Sequence, residues 1–337
     1  MILTYKIKHH RNFDEELAKA FAIAEFAIQN PKCRSSKDVK HIGLKSMISN
    51  QILKKYGRSK TIKQVHSVPL IIPNQGIKFD PITKIINIVP LKLHIPYHFY
   101  NPVKINQIEI DKTYAYVSVT IPTTPLRKTD AYIGIDRNTT GHIVVTANPD
   151  TGKIEKFGKQ AIHTHKKYSN NRKRLQKQGK YRQVKRLRNR ESRVVKNINH
   201  EVSRKIVKMA VEQNATIVFE DLSGIRTTKK QAKSFKYSLH SWSFYQLQQY
   251  VEYKANMFGI PVVYIDPAYT SQDCSKCNNR GKRTGKLFKC PICGHVDHAD
   301  VNAAFNIAYR QKNMVDRMQK EMCTMGALIP HDAMLEC

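Results

Sequence analysis

Acidic residues are scarce in this sequence. Its 337 residues include 26 Asp and Glu against 58 Lys and Arg, which gives a formal net charge of +32. Such an excess of one charge repels itself in a compact fold, and a polyanion relieves that repulsion. Because Lys and Arg bind phosphates with release of counterions, nucleic acid is the predicted partner. A ribosomal-type basic surface is the alternative.

Long apolar runs are also lacking. No stretch approaches the roughly 18 residues of a membrane span, and the start MILTYKIKHH has neither the apolar segment nor the cleavage site of a signal peptide. With 41% hydrophobic residues, however, the chain is long enough for two or three domains with cores of their own. We therefore expect an intracellular, cytoplasmic protein without a membrane partner, associated with the nucleoid in a prokaryote.

The cysteines do not favour a disulfide framework. Their number is seven, which is odd, and four of them form the two pairs Cys274-x2-Cys277 and Cys290-x2-Cys293, twelve residues apart. Two such pairs can supply four thiolates tetrahedrally to zinc, and a redox pair is the alternative. A site of four cysteines has no open coordination position, so we predict a structural zinc ribbon over residues 271–296.

Residues 1–125 alternate between strand-like and helical patterns. Apolar residues at helical spacing lie within about 12–58, and the strand-like pieces are the start of the chain, SVPLIIP, KIINIVPLKLHIPY and YAYVSVTIP. This pattern predicts a β-barrel that carries a helical insertion. At the other end of the chain, residues 313–337 are Met-rich and weakly patterned, and we expect a disordered tail there.

The rest of the chain has the element order of an RNase H-like fold. The predicted elements are three strands within 131–157, a basic helical segment from about His165 to Glu212, a strand at 216–220, a helix at Trp242–Phe258, a strand at 261–266 and a helix beginning near Asp300. This order predicts a mixed central sheet flanked by helices. The fold class is thus α/β plus β, with residues 126–270 and 297–312 forming one domain.

Three acidic residues occupy special places in that order. Asp136 and Glu220 each end an apolar strand, and Asp300 begins the last helix. Because adjacent strands lie ~4.8 Å apart, carboxylates at neighbouring strand ends can share a cation, and the helix can present the third. Oxygen ligands of this kind suit Mg²⁺ or Mn²⁺, which can promote phosphodiester hydrolysis.

Each of these residues also has an ordinary interpretation. Acidic residues commonly end strands in contact with solvent, and Asp at a helix start is commonly an N-cap. Asp266 follows a strand as well and is the strongest competitor for a place in the triad. Asp221 should point to the opposite face from Glu220, and we assign Asp297 no role.

The segment between Lys166 and Lys196 is nearly uniform in charge. It has fourteen Lys or Arg residues and one acidic residue, Glu191. A solvated helix face would normally balance its charges, so the segment favours phosphate binding along a helix. The predicted nucleic-acid contacts are Lys166, Lys167, Arg172, Lys173, Arg174, Lys177, Lys180, Arg182, Lys185, Arg186 and Arg188.

Five motifs, in order, resemble the TnpB proteins, also called OrfB, of small insertion sequences. They are GID at 134–136, FEDL at 219–222, SWSFYQLQQYVEYKA at 241–255, YIDPAYTSQDCSKC at 264–277 and ADVNAAFNIA at 299–308. The resemblance covers about residues 125–310 and extends to type V CRISPR effectors and Fanzor proteins. Many relatives have a glycine two residues after the first acidic residue, where this chain has Asn138, as in an archaeal-type subgroup.

The resemblance implies an RNA-guided DNA endonuclease encoded by a transposable element. It implies a RuvC-like catalytic domain in which Asp136, Glu220 and Asp300 bind Mg²⁺ or Mn²⁺, a structural zinc, and a wedge-type β-barrel with a recognition insertion. The implied partners are a guide RNA from the element end and a double-stranded DNA target, in a monomeric ribonucleoprotein. Guide pairing would read the target sequence while basic channels hold the duplex. A DNA-binding regulator without cleavage and a strand-transfer transposase are the alternatives.

Overall fold

The computed structural model describes residues 2–33, 35–59, 61–122, 124–222 and 244–326 of the chain, without the side chains of Arg188, Phe244 and 319–326. The chain divides into two compact units, Met1–Thr123 and Thr124–Cys337. This division lies two residues from the boundary predicted between 125 and 126.

The first unit is built mainly from antiparallel strands. Its strands are β1 Ile2–Lys8, β2 Leu70–Pro73, β3 Ile77–Asp80, β4 Ile85–Ile88, β5 Leu93–Pro96, β6 Lys104–Ile110 and β7 Tyr114–Thr120. Its helices are α1 Asp14–Gln29 and α2 Ser46–Tyr56, with short 3₁₀ helices at Lys40–Ile42, Asn74–Gly76 and Val89–Leu91. Both α-helices lie within residues 12–58, where the helical insertion is predicted.

The strands of this unit pair as two sheets. One sheet has the order β1-β7-β6-β2 and the other β3-β4-β5, and all pairings are antiparallel. Two separate sheets do not by themselves make a closed barrel, so the β-barrel remains a prediction. The sequence pattern did not indicate β6, and the reason is a register shift between Ile105 and Gln107. An extra residue there interrupts the alternation by which strands are identified.

The second unit has one larger sheet, several helices and a small three-stranded sheet. Its strands are β8 Ala131–Arg137, β9 Val144–Ala147, β10 Ile154–Phe157, β11 Ala215–Glu220, β12 Val262–Ile265, β13 Lys282–Thr284, β14 Leu287–Lys289 and β15 Val296–His298. Its helices are α3 Lys159–Lys177, α4 Tyr181–Glu212, α5 Phe244–Met257 and α6 Ala299–Gly326.

The larger sheet is mixed, as the element order predicts. Its strand order is β10-β9-β8-β11-β12, in which β8 pairs parallel with β11, β11 pairs parallel with β12, and the other pairings are antiparallel. On one face, residues of β8 and β11 pack with α4 and α5 in the main core: Ile133, Ile135, Ile217, Phe219, Ile206, Val207, Leu247 and Val251. On the other face, Val218 packs with Ile307 of α6. The sheet is thus covered by helices on both faces.

Gly134 permits the close approach of α6 to the centre of this sheet. A Cβ atom built on Gly134 would lie 2.0 Å from the carbonyl oxygen of Ala304 and 2.7 Å from the backbone nitrogen of Ala308. No side chain fits at that distance from helix backbone, so only glycine allows this packing.

The basic segment is two helices, not one. The prediction of a continuous helix from about His165 to Glu212 is wrong, because the chain turns at Gln178–Lys180 between α3 and α4. Gly179 has a φ of 68°, which glycine adopts without strain. His165 and Arg172 of α3 both pair with Glu191 of α4, so the two helices run back along each other.

The last helix is longer than predicted. α6 continues to Gly326 and therefore includes residues 313–326 of the segment for which a disordered tail was expected. Residues 327–337 lie outside the described part of the chain. None of the described helices combines the length and the apolarity that crossing a membrane requires.

Candidate active site

Asp136 and Glu220 lie on one face of the sheet, at neighbouring strand ends. Gly134 of β8 pairs with Val218 of β11, and the two acidic residues each follow two positions later. Because side chains alternate along a strand, both carboxyls share the face on which Gly134 and Val218 meet α6. The packing of α6 thus determines what else lies at this end of the sheet.

Asp300 is brought to the same end by α6. It occupies the first turn of that helix and is buried, with 1% of its surface exposed. Two basic side chains from the small sheet reach it. Arg283 donates to Oδ1 at 3.1 Å, and Lys286 donates to Oδ2 at 2.5 Å.

Asp136 is repelled by the other two carboxylates in a poorly solvated space. Burial, together with the charges of Glu220 and Asp300, raises the pKa of Asp136 to about 7. Burial also raises the pKa of Glu220. A pKa raised by burial and by neighbouring carboxylates marks Asp136 as a poorly compensated charge, which favours binding of a cation.

The carboxylate oxygens are not drawn together as tightly as the cysteine sulfurs. Within the described ranges, the four cysteines are the group whose ligand atoms all lie within 4.8 Å of one another, and the acidic triad does not meet that limit. One ion touching all three carboxylates does not match this spacing. Two ions about 3.5–4 Å apart, each sharing some of the oxygens, suit a wider set of ligands.

Thr270 fixes the orientation of Glu220. Its hydroxyl donates to Glu220 Oε1, and the residue is 2% exposed. Asn306 of α6 in turn donates to the Thr270 carbonyl at 2.8 Å and to the Asp273 carbonyl at 2.7 Å. The loop after β12 is therefore held against α6, and through it α6 positions the carboxyl at the end of β11.

Arg137 joins the same strand ends from the opposite face. It is buried, and its guanidinium donates to the Glu220 carbonyl at 2.6 Å and to Gln248 Oε1 of α5 at 2.8 Å. The backbone at Asp136 and the backbone at Glu220 are thus tied together independently of their side chains.

The competing acidic residues have structural contacts of their own. Asp266 Oδ1 accepts from the backbone N–H of Ala268 at 2.9 Å, which is a turn-forming bond. Asp297 accepts from the backbone N–H of His298 at 2.6 Å. The backbone N–H of Asp221 extends the β11–β12 pairing by donating to Ile265 at 2.8 Å. These contacts favour the ordinary interpretation for Asp266 in particular.

The four predicted zinc ligands form a compact cluster. Sulfur–sulfur distances across the two pairs are 3.6 Å for Cys274 and Cys293, and 3.5 Å for Cys277 and Cys290. A tetrahedron with Zn–S bonds of ~2.3 Å has sulfurs about 3.8 Å apart, so the donor set and its spacing fit zinc. Phe288, fully buried, packs with the cluster and with Ala299 of α6. The cluster could bind a metal ion such as zinc.

Comparisons with known proteins agree with the motifs. Residues 244–307 match the family model described as Cas12f1-like, TNB domain. The CRISPR-associated endodeoxyribonuclease Cas12f1 of Sulfoacidibacillus thermotolerans is 47% identical over 114 residues, which is 33% of this chain and 26% of the relative. A TnpB-like protein of Methanocaldococcus jannaschii is 30% identical over 182 residues, which is 52% of this chain and 63% of the relative.

These similarities support the TnpB family for this chain. A third relative, described as the putative RNA-guided DNA endonuclease InsQ of Escherichia coli strain K12, is 29% identical over 129 residues, or 34% of this chain and 32% of the relative. The chain thus spans between about a quarter and less than two thirds of the curated relatives it matches.

The basic helices of this chain expose most of the predicted nucleic-acid contacts. Exposed on α3, the turn and α4 are Lys166, Lys167, Lys173, Arg174, Lys177, Lys180, Arg182, Lys185 and Arg186. Arg172 is instead partly buried in an ion pair with Glu191. The side chain of Arg188 lies outside the described part of the structure. Nine of the eleven predicted contacts are therefore exposed on one helical hairpin.

Several residues that shape the carboxylate site had no pattern pointing to them. They are Asn138, Thr270, Arg283 and Lys286, with Arg137 on the opposite face. At position 138, the only sequence signal is that this chain has Asn where many TnpB relatives have glycine. Its amide donates to Asp136 Oδ2 at 2.7 Å, so that departure adds a contact to the site.

Proposed function

We propose that this chain is an RNA-guided, divalent-metal-dependent DNA endonuclease of a transposable element, which cuts its target at a single RuvC-type site. The observation that carries the proposal is the convergence of Asp136, Glu220 and Asp300 from two adjacent strand ends and the helix packed over them. Asp136 is buried beside Glu220 and Asp300, and metal ions would neutralise this cluster of negative charge.

The mixed sheet with helices on both faces supports an RNase H-like fold for residues 126–270 and 297–312. In this fold Asp136, Glu220 and Asp300 would hold Mg²⁺ or Mn²⁺. The chemistry supplied at these residues would be metal-assisted phosphodiester hydrolysis, with positive charge beside the attacking water and the leaving oxygen. Thr270 and Arg137 keep the ligands in place, and α6 packs on the face of the sheet that carries the carboxylates. The four cysteines would hold a structural zinc.

The guided part of the proposal has separate support. Relatives are described as a CRISPR-associated endodeoxyribonuclease and as a putative RNA-guided DNA endonuclease. The exposed cations of α3 and α4 suit binding to phosphates of a duplex by shape and charge, while base pairing with a guide supplies sequence specificity. The proposed partners are therefore a guide RNA and double-stranded DNA, in a ribonucleoprotein with one copy of the chain.

The test is to purify the protein from cells that carry its native locus and to sequence the RNA that co-purifies. A DNA target complementary to that RNA is then offered with Mg²⁺. We expect cleavage by the wild type and none by Asp136→Asn, because the amide does not replace a charged ligand. Asp266→Asn is the matched control and should cut as the wild type does.

The outcomes separate the competing functions. Equal cutting by Asp136→Asn would remove the carboxylate site from the reaction. Guided binding without cleavage in Mg²⁺ would indicate a regulator, and joined DNA ends would indicate a strand-transfer transposase. Absence of a specific RNA would remove the guided part and leave a metal-dependent nuclease to be tested on unguided DNA.

A further inference from the structure

The ammonium group of Lys286 lies between two of the candidate metal ligands. Its Nζ donates to Asp300 Oδ2 at 2.5 Å and to Asn138 Oδ1 at 3.3 Å. The other end of the Asn138 amide donates to Asp136 Oδ2 at 2.7 Å. One unbroken chain of hydrogen bonds therefore runs from Asp136 through Asn138 and Lys286 to Asp300.

The two middle residues of this series of hydrogen bonds, Asn138 and Lys286, have anchored backbones. The carbonyl of Lys286 accepts from the N–H of Ala299, the residue before Asp300, at 2.8 Å. The N–H of Asn138 donates to the carbonyl of Ile143 at 2.9 Å. Lys286 itself belongs to the turn between β13 and β14, in the same small sheet as the cysteine cluster. Its position is thus set by the fold of that sheet.

The two groups in the central ion pair differ in their contact with solvent. The side chain of Asp300 is 2% exposed and that of Lys286 is 36% exposed. A buried carboxylate is costly without a cationic partner, whereas a partly exposed lysine on a flexible stem can swing into water. The Asp300 carboxylate therefore stays buried, whereas the Lys286 ammonium can move into solvent.

We propose that Lys286 is a resident counter-cation of the carboxylate site, which a divalent ion must displace from Asp300 before it can bind. The inference rests on the proposed function, because it takes the three carboxylates as metal ligands. Lys286 then sets the affinity of the site for metal, and the small sheet with the four cysteines thereby controls how readily the site fills. The Asn138 amide hydrogen-bonds to both the Lys286 ammonium and Asp136. Release of the ammonium therefore affects both Asp136 and Asp300.

The experiment measures Mn²⁺ binding directly, by the loss of the free-ion electron paramagnetic resonance signal, on the full chain with zinc bound. We expect Lys286→Met to bind Mn²⁺ about ten-fold more tightly than the wild type, since one competing charge a few ångströms from the ion is removed. Lys286→Arg keeps the charge and should bind at least as weakly as the wild type. A thermal melt of each variant verifies that it is folded.

Two further variants make the result specific. Lys289→Met removes an equal charge from an exposed position of β14 and should leave the affinity unchanged. Asp136→Asn should lose the measured binding, which locates the ion at the carboxylates. Equal or weaker Mn²⁺ binding by Lys286→Met overturns the inference alone if Asp136→Asn still abolishes binding. Binding that Asp136→Asn leaves intact, or no binding by any variant, overturns the proposed site as well.

Discussion

At the scale of single residues, two of the three carboxylates accept hydrogen bonds from neighbours that carry no charge. Thr270 donates its hydroxyl to Glu220, and Asn138 donates its amide to Asp136. Such hydrogen bonds select one rotamer of each carboxyl and so reduce the ordering that a metal ion would otherwise have to impose. Partners of this kind commonly change metal affinity or activity about 10–100-fold when they are removed.

Thr270→Val tests this positioning, because it keeps the shape of the side chain and removes its hydroxyl. We expect DNA cleavage to slow about 10–100-fold, since Glu220 loses the bond that orients it. The affinity for guide and target should not change, because Thr270 is 2% exposed and its hydroxyl contacts Glu220. Single-turnover cleavage and filter binding measure the two quantities.

Thr270→Ser is the control for that prediction, since serine retains a hydroxyl at the same position. Its cleavage rate should stay within a few-fold of the wild type. If the valine variant cuts as fast as the serine variant, the hydroxyl does not position Glu220 in the reacting complex.

At the scale of elements, the order and the ends of the strands in the second unit could be predicted from the sequence. The runs that end at Asp136 and Glu220 are apolar and short, and they match β8 and β11. The cysteine spacing predicted the cluster. These features are local, because each depends on residues that are close in the chain.

What could not be predicted depends on tertiary contacts. Nothing local to Lys286 indicates that a turn of the small sheet meets the start of α6, 14 residues later in the chain. The break between α3 and α4 depends on a single glycine, Gly179, within a strongly helical, basic composition. The ion pairing of α3 with Glu191 of α4 stabilises the resulting hairpin. Residues 313–326 have only a weak apolar pattern, so the sequence did not indicate that α6 continues through them.

Cys293→Ser tests the small sheet as an element. The segment between the cysteine pairs is rich in Lys, Arg, Asn and Gly and has little core beyond Phe288, so metal binding should supply most of its folding free energy. We expect zinc content to fall from about one ion per chain to near zero, and β13–β15 to lose protection from amide hydrogen exchange.

Cys33→Ser is the matched control, because Cys33 lies outside the cluster. It should retain the zinc and the protection pattern of the wild type. Full zinc content in the Cys293 variant, measured by elemental analysis, would contradict a four-cysteine site.

At the scale of the whole molecule, the excess of 32 positive charges is the dominant property. Charge spread over a surface raises association rates with nucleic acid generally, whereas charge concentrated on one hairpin gives defined phosphate contacts. These two contributions differ in their response to salt, because each defined contact releases counterions and steepens the salt dependence of binding.

A variant with glutamine at four lysines separates the contribution of general surface charge from that of defined phosphate contacts. The four are Lys173, Lys177, Lys180 and Lys185. All four are exposed on the hairpin of α3 and α4. If each contacts one phosphate, the slope of log affinity against log salt should become shallower by about 3, at 0.7–0.9 per contact. The same four positions changed to arginine keep the charge and should keep the wild-type slope. A slope that the glutamine variant leaves unchanged would mean that these helices do not hold the nucleic acid, whatever the net charge contributes.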